Sequence, residues 1–69
     1  MDRLMLGKQI KAARIEEKLT QNDLASLTGT TKSRISAIEN GKDNIAWDRL
    51  NVIVKALNRV IINDFIVKS

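Results

Sequence analysis

The feature that most constrains this chain is Gly29, which sits between two helix-capping signals. Thr20, followed three residues later by Asp23, approximates a capping box with Asp in place of the usual Glu or Gln, so a short helix runs from Gln21 to about Thr28. Gly29 comes where a helix end needs a residue that tolerates positive φ. Thr30 and Thr31 then offer hydroxyls to the free amides of another helix, which Ile35 and Ile38 make amphipathic and Gly41 stops at about Asn40.

The segments on either side are helical as well. From about Leu4 to Lys18 there is no Pro and no Gly after Gly7, and Leu6, Ile10, Ala13 and Glu17 mark one side at helical spacing. After the polar loop Lys42-Asp43-Asn44, the stripe Trp47, Leu50, Ile53, Val54, Leu57 predicts a fourth helix, capped at Asn44 or Ala46, with Asp48 well placed in its first turn. Two short helices joined through Gly29, with one helix before and one after, describe a helix-turn-helix unit in a compact bundle. The fold class is mainly α, with residues 1–58 as a four-helix bundle inside one domain spanning 1–69. Beyond Arg59, β-branched residues dominate and helical spacing ends, so residues 59–69 read as a C-terminal strand. The competing reading is a fifth helix begun at Asn63-Asp64-Phe65-Ile66.

Twelve Lys and Arg against eight Asp and Glu leave a net charge of +4, which favours polyanions and is equally compatible with a solvated basic surface. Without Cys or His there is no disulfide and no ordinary zinc site. The eight carboxylates show no paired spacing on one face, and Gly7, Gly29 and Gly41 are too scattered for a phosphate-cradling loop. Neither an enzyme nor a cofactor is expected. No apolar run approaches the roughly 18 residues of a membrane span, which points to a soluble, cytoplasmic protein.

The run Leu19-Thr20-Gln21-Asn22-Asp23-Leu24-Ala25-Ser26-Leu27-Thr28-Gly29, continued by Thr30-Thr31-Lys32-Ser33-Arg34-Ile35-Ser36-Ala37-Ile38-Glu39-Asn40-Gly41, resembles the core motif of the Xre-type family of phage repressors, Cro proteins and bacterial regulators. The resemblance extends from about Leu6 to Leu57. It implies a structural ion pair between Arg14 and Glu39, and a phosphate contact at Gln21.

Groove geometry points to the same region. A major groove about 12 Å wide accepts one helix, whose N-terminal residues meet base edges. Here these are Thr31, Lys32, Ser33 and Ala37. Lys32 suits guanine O6 and N7, Ser33 suits either kind of group, and the Ala37 methyl suits a thymine methyl. Arg34 and Ser36 suit phosphate or the groove edge, and Asn40 and Lys42, just past the helix, suit the backbone. The bland reading of Lys32-Ser33-Arg34 is a solvated helix face; within this motif, DNA contact is preferred. Trp47 and Phe65 read as core packing, and Glu16-Glu17 as an exposed charge cluster.

The partners expected are a palindromic DNA operator and a second copy of the chain. A lone strand needs a partner, so Val60, Ile61, Ile62, Phe65, Ile66 and Val67 are the expected dimer interface, paired antiparallel across a two-fold axis. Antitoxins of the HipB type resemble the chain in carrying such a strand, which adds a second reading: an antitoxin that binds a toxin and represses its own operon. A scaffold that binds protein rather than DNA is a third.

Overall fold

The computed structural model describes residues 2–69. Helix α1 (Arg3–Glu16) begins at Asp2, whose Oδ1 accepts from the amides of Leu4 and Met5 at 2.8 and 3.0 Å. It ends two residues before Lys18, which takes φ +59 while the Leu19 amide returns to the Arg14 carbonyl. Glu17 therefore lies just outside the helix, half-buried, while Leu6, Ile10 and Ala13 enter the core.

Helix α2 (Gln21–Thr28) carries a full capping box: the Asp23 amide donates to Thr20 Oγ1 at 2.9 Å, and the Thr20 amide donates to Asp23 Oδ2 at 2.8 Å. Gly29 closes it at φ +68. Helix α3 (Lys32–Glu39) starts at Thr31, whose hydroxyl accepts from the Arg34 amide. At its other end the Lys42 amide reaches the Ala37 carbonyl and the Gly41 amide that of Ile38, the paired bonds of a Schellman ending. Helix α4 (Trp47–Ala56) begins at Ala46 without a side-chain cap.

The core unites these helices: Leu24 and Ala25 from α2, Ile35 and Ile38 from α3, and Leu50, Ile53 and Val54 from α4 with Leu57 beyond it. Trp47 departs from expectation, being 64% exposed. Its spacing turns it toward the body of the protein, but there it borders an open cleft of about 240 Å³ with Leu6, Ile45 and Leu50 beneath.

The C-terminal segment corrects the expectation of a lone strand and equally that of a fifth helix. It is a hairpin, β1 (Arg59–Ile62) paired antiparallel with β2 (Phe65–Lys68), with Val60 opposite Val67 and Ile62 opposite Phe65. Asn63 supplies the positive φ (+56) that a two-residue turn needs. The strand's hydrogen-bonding partner thus lies in its own chain. The turn also sets the faces, because residues opposite each other share one: Ile61 and Ile66 pack on the core, while Val60, Ile62, Phe65 and Val67 face outward. Phe65 is 59% exposed and is no core residue. No helix among the described residues is long and apolar enough to cross a membrane.

Candidate nucleic-acid interface

The side chains at the start of α3 fall into two groups. Lys32 and Ser33 are exposed and make no hydrogen bond or ion pair within the chain among the described residues. The others are held. Thr31 spends a lone pair on the cap. Arg34 Nε lies 3.1 Å from Asp43 Oδ2 in an exposed pair, which is worth under about 1 kcal/mol and which a phosphate can displace. Ser36 and Ala37 are half-buried on the following turn.

Beyond the helix, Asn40 Nδ2 donates to the Ser36 carbonyl at 2.9 Å, while the Lys42 side chain is exposed and has no partner among the described residues. Gln21, half-buried at the start of α2, donates from Nε2 to Glu39 Oε1 at 3.1 Å. Its orientation is therefore set by the last residue of α3.

Glu39 is the junction of three elements. Arg14 Nε donates to its Oε2 at 2.7 Å and Arg14 Nη2 to its Oε1 at 3.1 Å, a bidentate pair whose side chains are 10% and 2% exposed. Arg14 Nη1 also donates to the Leu19 carbonyl, so α1 holds both the end of α3 and the approach to α2. Gly7 permits this closeness: a Cβ there would overlap the Ile38 carbonyl oxygen and lie 2.5 Å from that of Glu39.

A second buried cation escaped the sequence reading. The Arg59 side chain is only 4% exposed; Nη1 donates to Glu17 Oε2 at 3.0 Å and Nη2 to Glu16 Oε1 at 3.2 Å. Glu16 and Glu17 are thus the counter-ions of the hairpin's first residue; Glu16 is exposed, as expected of the charge cluster, while Glu17 is half-buried. Hydrogen bonding to Arg59, then to Asn58, lowers the Glu17 pKa, and the same pairing raises that of Arg59. The Thr20 amide and hydroxyl likewise hold the Asp23 carboxylate below its ordinary range. The spacing of Glu16, Glu17 and Arg59 along the chain carries no signal of their meeting.

Four helices with an α2–turn–α3 unit and an exposed, basic first turn of α3 define a helix-turn-helix protein. The helix-turn-helix domain family matches residues 7–66, and the chain belongs to it; this is not an enzyme family. The chain is 49% identical over 39 residues to the HTH-type transcriptional repressor RghR of Bacillus subtilis, covering 56% of this chain and 29% of the repressor. It is 32% identical over 54 residues to the antitoxin PezA of Streptococcus pneumoniae, covering 78% of this chain and 34% of the antitoxin. The chain thus spans about a third of the length of these relatives. Among solved structures it resembles the restriction-modification controller protein C.Esp1396I, seen as a tetramer in complex with its natural 35 base-pair operator. There the TM-score is 0.73 at 33% identity, over 78% of this chain and 71% of the controller.

Proposed function

We propose that this chain binds double-stranded DNA sequence-specifically as a dimer and acts in the cytoplasm as a repressor-like transcriptional regulator. The carrying observation is the first turn of α3, which has two basic side chains and no acid, all solvent-exposed. Helix N-termini favour acids because their free amides carry partial positive charge, so Lys32 and Arg34 there work against the macrodipole, offset only at Arg34 by its exposed pair with Asp43. A polyanion relieves that conflict. In this reading Lys32, Ser33 and Ala37, with the Thr31 hydroxyl, meet base edges, while Gln21, Arg34, Ser36, Asn40 and Lys42 meet the backbone. Arg14 and Glu39 act as scaffold.

The dimensions of the chain support the dimer. The longest extent of the chain is 27 Å, whereas successive major grooves on one face of a duplex lie about 34–36 Å apart. One copy presents one helix to one groove, so a palindromic operator needs two. Residues 59–69 supply the contact, with Val60, Ile62, Phe65 and Val67 as its apolar face. Of the six interface residues expected from sequence, Ile61 and Ile66 are already engaged with the core of their own chain. The β1 edge remains available: the Ile66 amide points away from β1 to Gln9, which makes Ile61 and Ile66 the pair whose backbone groups face outward.

The similarity to a repressor and to an operator-bound controller supports this reading. The similarity to PezA supports a second one, an antitoxin with a toxin partner that also regulates its own operon. Titrating binding to duplex DNA against salt tests the first. With six or more phosphate contacts, affinity falls by about 10³ or more between 50 and 200 mM salt. A flat response removes DNA binding from the reading.

A further inference from the structure

The hairpin is held to the rest of the chain by polar contacts at both ends: near the turn from Gln9 of α1, and at the base from Glu16, the last residue of α1, with Glu17 just beyond it. Near the turn, Gln9 accepts the Ile66 amide at 2.7 Å and donates to the Asp64 carbonyl at 3.1 Å. At the base, Arg59 is gripped by Glu16 and Glu17. At 1.5 Å rise per residue, Gln9 and Glu16 stand about 10 Å apart along the helix, close to the length of a four-residue strand. Two grips at that separation constrain the hairpin's angle, on top of the core packing of Ile61 and Ile66 that sets its position. The same helix is bound to the end of α3 through the bidentate Arg14–Glu39 pair and the close approach at Gly7. Helix α1 therefore contacts the hairpin on one side and α3 on the other, while β1 also packs against α4.

We infer that Gln9 and Arg59 are positioning residues that set the separation and angle of the two α3 helices in the dimer, and hence the operator half-site spacing the protein accepts. This rests on the reading that the hairpin joins two DNA-binding copies. If α3 lies about 17 Å from the two-fold axis, a 10° swing of the hairpin moves it about 3 Å, nearly one base-pair step.

The test uses the full chain, the palindromic duplex it selects from a random-sequence library, the same duplex with one base pair added or removed at its centre, and an isolated half-site. Wild type should prefer the selected spacing by about 100-fold, since a rigid dimer loses most of its avidity when geometry forbids both contacts. Gln9→Met and Arg59→Met should each reduce that preference about tenfold while half-site affinity stays within about twofold. Should Arg59→Met fail to fold, Gln9→Met, at a half-buried position, carries the test alone. An unchanged spacing preference in a folded variant overturns the inference, as does a parallel loss of half-site and full-site binding. If wild type itself shows no spacing preference, the dimeric reading fails and the inference falls with it.

Discussion

Replacing Glu39 by Ala removes the acceptor for Arg14 Nε and Nη2 and for Gln21 Nε2 at once. The Arg14 side chain, 10% exposed, then keeps its charge with only the Leu19 carbonyl as partner. Stranding one member of a buried pair costs roughly 3–5 kcal/mol. A domain of this size has roughly 3–10 kcal/mol of total stability, so the substitution consumes much of it. Each kcal/mol shifts Tm by about 4–8 °C, which predicts a loss of at least about 12 °C by circular-dichroism melting. The double variant Arg14→Met/Glu39→Leu separates a stranded charge from lost packing. It should recover at least about half of the loss, because removing both charges leaves only the Leu19 carbonyl and Gln21 short of a partner. A Tm loss below about 5 °C, or a double variant no more stable than Glu39→Ala, would refute the reasoning.

Gly7→Ala should cost about 3 kcal/mol or more, because its methyl meets the backbone of Ile38 and Glu39 rather than a movable side chain; a melting temperature within a few degrees of wild type contradicts the packing. Stability should be flat from about pH 5 to 8, there being no His, and should fall in acid. The sign follows from the lowered carboxylates: Asp2, held down chiefly by the Met5 amide, Glu17 by Arg59 and Asp23 by Thr20 contribute stability above their ordinary range and lose it as pH drops through their depressed native values. Asp23→Asn should make that acid loss shallower, as read from Tm against pH.

Local chemistry made much of this fold legible. Thr20, Asp23 and Gly29 specify the bounds of α2 through bonds within a few residues, and the apolar spacing of Leu50, Ile53, Val54 and Leu57 places α4. Periodicity says which side of a helix faces inward but not how far the body extends beneath it, and so it misplaced Trp47. The hairpin was missed because Asn63-Asp64 serves equally as a helix start and as a two-residue turn. Only tertiary docking on Gln9 and the core, distant in sequence, selects the turn. The Arg59 cluster was illegible for the same reason, joining residues more than forty positions apart. Within the α3 region, the sequence identified which side chains lie near the N-terminus. It could not show that Gln21, Arg34 and Asn40 are bound within the chain while Lys32, Ser33 and Lys42 have no partner among the described residues.

The most direct test of the central claim, that the first turn of α3 reads bases, is binding-site selection from a random duplex library with wild type and Lys32→Ala side by side. Wild type should select a palindrome containing a guanine within reach of Lys32. The variant should relax the preference at that position alone and lose about 1–3 kcal/mol on the wild-type site, with its salt dependence little changed. Identical selected sequences from the two proteins would contradict it.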